Sequence, residues 1–157
     1  NSYHINMVRV DQDGISFSGL NTQALLALSA DLSIKEICSL PRGCHNAMPI
    51  ADGVIFNDTA SDTVRLVTRY AGERSVPVPT FPTDELDFMG IDDSKIARQG
   101  FGRGLCLINQ HIIAAGSSPS TVSIIDISES KRLTAVNLTM DIRNAIHGLE
   151  CWPTDWP

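Results

Sequence analysis

Apolar side chains along this chain come in short runs separated by turn-forming residues. The runs at 111–116 and 122–127 hold apolar residues at both odd and even positions. Such a pattern is typical of strands that are covered on both faces of a sheet, whereas a half-solvated sheet alternates. Asp13-Gly14 and Asp52-Gly53 each separate two such runs, and Asp-Gly favours a tight hairpin because glycine accepts a positive φ. The pattern predicts an all-β chain.

Four stretches of the chain start alike. They are 45–50 (HNAMPI), 103–108 (RGLCLI), 147–152 (HGLECW) and, in a slightly shifted register, 4–10 (HINMVRV). The interval from 45 to 103 is longer than the other two, and it becomes similar to them if about 15 residues around 77–82 and onward are an insertion. A period of about 40–45 residues with four short strands is typical of a β-propeller blade.

The turn residues divide these repeats into strands. We expect strands at 4–11, 15–20, 25–30, 33–40, 45–51, 54–58, 63–70, 104–109, 111–116, 121–127 and 132–138. The corresponding blades are 4–41, 45–73 and 103–139, with an insertion at 74–99 and a final inner strand at 146–152. Within the insertion, the polar start at Thr83 and the stop at Gly100 leave room for one or two short helical turns.

The fold class that follows is all-β, a partial β-propeller of about three four-stranded blades plus one inner strand, with a loop or short-helix insertion. Propellers take four to eight blades, so this set does not close a ring. We expect the additional blades to come from a missing segment of a longer polypeptide. The alternative is that copies of the chain complete a homo-oligomeric ring.

Several of these motifs resemble a known family. They are 45–49 with 52–57, and 101–105 with 112–117. Together they resemble the C-terminal part of an uncharacterised β-propeller-like family, a domain of unknown function, and residues 4–6 and 19–22 resemble its preceding blade. The resemblance spans nearly the whole chain and implies a propeller. It implies no reaction, substrate or cofactor.

Charge and composition narrow the class of partner. The chain has 157 residues and a formal net charge of -6, from 18 Asp and Glu against 12 Lys and Arg. We expect no nucleic-acid and no membrane partner, because both surfaces need clustered basic residues and no apolar run approaches the ~20 residues that span a bilayer. The cysteines form no C-x-x-C pair, and we interpret them as reduced, mostly buried residues of a cytoplasmic protein.

The candidate site residues share a position at the start of a presumed inner strand. In a propeller these starts converge around the central channel, which is a usual place for a ligand. The predicted ligand-binding residues are His4, Asn6, His45, Asn46, Arg103 and His147. Arginine and histidine suit a small anionic ligand such as a carboxylate or phosphate, because a guanidinium offers two parallel donors.

Three of these residues also support a metal hypothesis. Imidazoles of His4, His45 and His147 that converge on the channel axis would ligate Fe, Mn or Zn. The competing interpretation is architectural: each residue hydrogen-bonds the adjacent blade and holds the ring together. Arg103 weakens the metal hypothesis because a permanent cation repels a metal ion. Otherwise the sequence indicates no cofactor.

Two functions from different classes are consistent with this pattern. The first is a binding module that recognises a small anionic or carbohydrate ligand, or a protein partner, through its channel face. The second is a metal-dependent propeller enzyme (a lyase, hydrolase or oxygenase) with channel histidines as ligands. The sequence identifies no catalytic residue, so it leaves open whether the protein is an enzyme.

Overall fold

The structure is a computed structural model that describes residues 3–89 and 98–152. Its strands are β1 Ile5–Asp11, β2 Gly14–Gly19, β3 Ala24–Leu28, β4 Ile34–Ser39, β5 Cys44–Ile50, β6 Gly53–Asp58, β7 Thr63–Thr68, β8 Gly72–Pro77, β9 Gly102–Leu107, β10 Ile112–Ser117, β11 Thr121–Asp126 and β12 Lys131–Asn137. A 3-10 turn at Thr83–Glu85 lies between β8 and β9. In the described part of the chain, no helix is long and apolar enough to cross a membrane.

The strands form three four-stranded sheets, each from consecutive strands: β1 to β4, β5 to β8, and β9 to β12. Neighbouring strands are joined by short turns, so each sheet is an antiparallel meander. Asp13-Gly14 and Asp52-Gly53 lie in the first hairpin of their sheets, as the Asp-Gly pattern predicts. Three meanders in succession are the arrangement expected of propeller blades.

The structure differs from the predicted strands in two places. Strand β8 was not predicted and extends into the range 74–99, which had been assigned to the insertion. It is a polar edge strand in which only Val76 is buried, so it lacks the apolar pattern on which the prediction depended. Conversely, residues 146–152 form no strand, because they have no hydrogen-bonded partner strand among the described residues.

After β8, the described residues of the predicted insertion contain little regular structure. Thr83–Glu85 is a single 3-10 turn, and Leu86 after it is buried. Asp87 forms an isolated bridge with Asp141. The remainder of the predicted helical range, 90–97, lies outside the described residues.

The chain divides into two compact units, Asn1–Ser75 and Val76–Pro157. In the first unit, β5 packs across β1 and β2, so the inner strand of the second sheet covers one face of the first. The core under this crossing is apolar and consists of Leu25, Leu40, Cys44, Ala47, Val54 and Phe56. Burial of these side chains is the main stabilising term for such a crossing.

The other face of the first sheet is open. Val8 pairs with Phe17 and Val10 pairs with Ile15, so these four side chains share one face. Val8 is 60% exposed and Val10 is 72% exposed. The first sheet therefore has one covered face and one apolar face that meets solvent.

In the second unit, β9 to β12 form the sheet, and Leu105, Ile113 and Ile125 are fully buried. Residues 144–152, here called the tail segment, lie against β9 and β10. A Cβ added at Gly116 would come within 2.6 Å of the Ile146 side chain, so a glycine is required for this close approach. The Ile146 amide donates to the Ser117 carbonyl at 3.3 Å.

Candidate functional site

The inner strands share a backbone irregularity near their starts. Pairing slips by one residue between Ile5 and Met7 in β1 and between His45 and Met48 in β5. A corresponding slip in β9 lies opposite the step from Ala115 to Ser117. Each slip is a β-bulge, which redirects the neighbouring side chain.

The bulge explains the repeated residue pair in the sequence. Asn46 follows His45 and has a φ of 54°, and Gly104 follows Arg103 and has a φ of 72°. Asparagine and glycine are the residues that most readily take this left-handed conformation. The second residue of each pair, Asn46 or Gly104, therefore has a backbone cause.

In the first unit, the two predicted asparagines join neighbouring sheets. Asn6 Nδ2 donates to the Cys44 carbonyl at 3.1 Å. Asn46 donates its backbone N–H to Asn6 Oδ1 at 3.2 Å and its Nδ2–H to the Asn6 carbonyl at 3.3 Å. These bonds hold β5 on β1. Asn6 and Asn46 therefore make the contacts expected of residues that join adjacent blades.

The two histidines of the first unit differ in exposure. His45 is on β5 and is only 4% exposed, whereas His4 precedes β1 and is exposed. Ile5 pairs with Gly19 as His45 pairs with Asn57, so Ile5 rather than His4 occupies the position equivalent to His45. The alignment of the sequence repeats had matched His4 with His45, which is one residue away from the structurally equivalent Ile5.

In the second unit, the predicted residues Arg103 and His147 are in contact. Arg103 Nη1 lies 3.0 Å from His147 Nδ1 and 3.4 Å from His147 Nε2. A guanidinium only donates, so an imidazole nitrogen must accept, and the ring is bound in its neutral form. Arg103 is half-buried and His147 is exposed, which leaves the pair accessible from solvent.

Burial and charge act together on this pair. Burial lowers the pKa of Arg103 from its usual value, although a guanidinium stays protonated at neutral pH. Burial lowers the pKa of His147, and the positive charge of Arg103 lowers it further. At neutral pH the pair therefore carries one positive charge, which is on Arg103.

That charge is not neutralised by a carboxylate in residues 3–89 and 98–152. The salt bridges there belong to other arginines, Arg9, Arg65 and Arg143. The Arg103 Nε–H is buried and has no hydrogen-bond partner among the same residues. A half-buried cation without a counter-charge is unusual, because removing a charge from water is costly unless it is paired.

An aromatic ring supports the guanidinium. The Arg103 guanidinium carbon lies 4.7 Å from the centroid of the Phe101 ring, and that of Arg98 lies 5.3 Å from it. The negative face of the ring attracts such cations. Phe101 and Arg98 were not predicted as site residues, although their spacing in 98–103 (RQGFGR) is a signal that could have indicated a stacked arginine.

The metal hypothesis gains no support from the grouping of side chains. Among the residues that the structure describes, no three His, Cys, Asp or Glu side chains form a group that could hold a metal ion. Both ring nitrogens of His147 lie within 3.4 Å of Arg103 Nη1, and the charge of that group repels a cation. Metal ligation by His4, His45 and His147 stays a prediction from sequence.

Comparison with known proteins identifies the fold. No family model and no curated protein sequence matches this chain. It is similar to a crystal structure of a catalytically inactive histidine-to-alanine variant of virginiamycin B lyase from Staphylococcus aureus with quinupristin, at a TM-score of 0.55 and 13% sequence identity. The chain is a partial β-propeller.

The match extends over most of this chain and less than half of the lyase chain. It covers 85% of this chain and 41% of the lyase chain, so the chain spans less than half the length of that protein. The predicted fold class, an all-β partial propeller with three four-stranded sheets, is confirmed. The predicted membership of the uncharacterised propeller-like family stays a prediction, because no family model matches.

Proposed function

We propose that the protein is a propeller binding module that takes a small anionic ligand, carrying a carboxylate or a phosphate, at Arg103 and His147. The observation that carries the proposal is the half-buried Arg103 guanidinium, which has no carboxylate partner in the described part of the chain. An anion beside it would supply the missing counter-charge. Charge-assisted hydrogen bonds of this kind are about twice as strong as neutral ones.

Some of the N–H donors of Arg103 are used in contacts within the protein, and others remain for a ligand. One N–H group, on Nη1, is directed at His147, and the face of the guanidinium lies over Phe101. A guanidinium has five N–H donors, so the Nη2 donors, for which the described residues provide no acceptor, are available to an oxyanion. The ring and the imidazole thus fix the plane of the guanidinium before a ligand arrives, which reduces the entropy lost on binding.

His147 contributes a second, conditional donor. The neutral ring accepts from Arg103 in the free protein. An anion beside the pair stabilises the protonated ring, because an opposite charge within a few ångströms favours the charged form. His147 then becomes a donor to the ligand, and binding is coupled to the uptake of a proton.

We propose binding rather than lyase chemistry. The solved neighbour is a lyase that is inactive when one histidine is replaced, and at 13% identity this likeness concerns the fold alone. In residues 98–152, His147 makes hydrogen bonds to Arg103 and none to a carboxylate that would orient it as a general base. The contacts therefore favour recognition of an anion.

The direct test is calorimetric titration of the purified protein with inorganic phosphate and with succinate at pH 7. Arg103→Gln removes the charge and preserves the side-chain length, and we expect at least about tenfold weaker binding, as for the loss of one charge-assisted hydrogen bond. Arg42→Gln is the matched control, because Arg42 is an exposed arginine and the change in net charge is the same. Equal affinities in the wild type and both variants, or binding of neither anion, would overturn the proposal.

A further inference from the structure

A second pair of side chains connects β9 with the tail segment. Cys106 on β9 and Cys151 on the tail segment are free cysteines, and their Sγ atoms lie 3.4 Å apart. Each Sγ also lies 3.6 Å from the Leu107 carbonyl oxygen. The two thiols therefore face each other where the tail segment lies against β9, in the same region as the contact between Arg103 and His147.

The two thiols differ in accessibility. Cys106 is 5% exposed, whereas Cys151 is exposed. Burial, together with the neighbouring Cys151, raises the pKa of Cys106 to about 11. The thiolate is the reactive form of cysteine, so Cys151 is the thiol that an external reagent reaches first.

We propose that Cys106 and Cys151 form a reversible disulfide that fastens the tail segment to β9. The oxidant is a low-molecular-weight disulfide, for which oxidised glutathione is the probe. The Cys151 thiolate attacks one sulfur of that disulfide, the S–S bond breaks, and one glutathione thiolate leaves. The Cys106 thiol then gives up its proton, attacks Cys151 Sγ and displaces the second glutathione thiolate. Two protein thiols are oxidised, and one glutathione disulfide is reduced to two thiols that take up the two protons.

The tail segment is a suitable target for such a bond because side-chain and turn contacts, rather than a sheet, hold its described residues. Residues 144–152 belong to no sheet in the described structure. The Ile146 amide bonds to the Ser117 carbonyl, and the Arg103–His147 contact supplies a further link. A covalent bond at 151 would restrict the segment near its His147 contact, because only three residues separate the two positions.

The effect on ligand binding rests on the proposed function. With the tail segment fastened, His147 stays beside Arg103 and the anion site is formed in advance. We therefore expect the oxidised protein to bind phosphate more tightly than the reduced protein by a few fold, since less ordering accompanies binding. The disulfide itself does not depend on this expectation.

The other cysteines provide an internal control. Cys38 is half-buried and Cys44 is buried, both in the first unit. Burial raises the pKa of Cys44 to about 12, so its thiol is a poor nucleophile. Cys38→Ser therefore removes a thiol without touching the proposed pair, and Cys151→Ser removes the exposed member of it.

The experiment equilibrates the purified protein in glutathione buffers of increasing oxidised fraction, blocks remaining thiols and analyses intact and digested protein by mass spectrometry. We expect the loss of two thiols per chain, a linked peptide pair containing Cys106 and Cys151, and full reversal by dithiothreitol. Cys38→Ser should behave as the wild type, and Cys151→Ser should form no link. A persistent glutathione adduct on Cys151, a link to Cys38 or Cys44, or two thiols unchanged even in oxidised glutathione alone would overturn the proposal.

Thermal unfolding and phosphate titration separate this proposal from the previous one. The oxidised wild type should melt roughly 5–10 °C above the reduced form, the scale expected when a bond closes a loop of this length. Cys151→Ser should show no such shift. If the linked peptide forms but neither redox state binds phosphate, the disulfide stands and the proposed anion site fails.

Discussion

Two crossings in the molecule use the same position of the repeat in different ways. In the first unit β5 crosses β1 and β2, and in the second unit the tail segment crosses β9 and β10. At the first crossing, asparagine amides bond to the neighbouring backbone and His45 is buried. At the second, the contacts are between the side chains of Arg103 and His147 and between two cysteines, and His147 is exposed.

The difference lies in how the crossing segment is held. Strand β5 is hydrogen-bonded to β6 in its own sheet, so backbone bonds fix its position without any side-chain contact. The tail segment has no strand partner in the described residues. Amide groups satisfy one another's hydrogen bonds because each amide both donates and accepts. A guanidinium only donates, so without a carboxylate its charge is not balanced. The same region of the repeat therefore joins neighbouring sheets in the first unit and forms a candidate binding site in the second.

The largest predicted effect comes from breaking the first crossing. Asn46→Val introduces a β-branched residue at a φ of 54° and removes the Nδ2–H bond to the Asn6 carbonyl. We expect the free energy of unfolding to fall by about 2–4 kcal/mol, measured by urea denaturation. Asn46→Gly accepts the same φ and should lose less than the valine variant. Equal losses in the two variants would show that backbone conformation at residue 46 is unimportant.

A smaller effect concerns pH at the second crossing. The folded pKa of His147 is depressed, so protons bind less well to the folded chain than to the unfolded chain. Stability from this group is therefore complete above its ordinary pKa of about 6.5 and is lost as pH falls through the lower folded value. We expect the wild type to lose melting temperature between pH 7 and pH 5 more steeply than His147→Gln.

Anion binding should show the opposite pH dependence. Protonated His147 attracts an anion, so affinity for sulfate, whose charge is constant in this range, should rise a few fold as pH falls from 7 to 5. His147→Gln should remove most of this rise, as measured by titration calorimetry. A rise of the same size in the variant would assign the effect to another group.

The smallest predicted effect comes from the aromatic support of Arg103. Phe101→Leu keeps an apolar side chain and removes the ring that lies 4.7 Å from the guanidinium carbon. We expect phosphate affinity to fall by about two- to fivefold, which corresponds to a cation–π contribution of about 0.5–1 kcal/mol. Phe81→Leu is the control, because Phe81 is in contact with Gln99 through its backbone atoms. An unchanged affinity in Phe101→Leu would show that the ring does not orient the guanidinium.

Local pattern was sufficient to predict most of the fold. Apolar runs and the Asp-Gly turns determine strands such as β6 and β11 with little dependence on the rest of the chain. Strand β8 was missed because a polar edge strand lacks that pattern. The 146–152 prediction failed for a different reason: the inner-strand pattern is present, but a strand also needs a partner, which the pattern does not report.

The candidate site was predictable only in part. The repeat identified Arg103 and His147 as equivalent to His45, and the structure shows these two residues in contact. The repeat pattern could not distinguish Arg103 and His147 from Asn6 and Asn46. Whether a polar side chain finds a hydrogen-bond partner in the protein depends on contacts between segments about 40 residues apart in sequence. The sulfur pair at Cys106 and Cys151 was missed for the same reason, since only the crossing brings the two residues together.

The proposed function depends on Arg103 as the cation that binds an anion at the second crossing. This dependence is tested by titration of the wild type, Arg103→Gln and Arg42→Gln with inorganic phosphate at pH 7. We predict saturable binding in the wild type and Arg42→Gln and at least about tenfold weaker binding in Arg103→Gln. Unchanged affinity in Arg103→Gln, or the same loss in both variants, would contradict the claim.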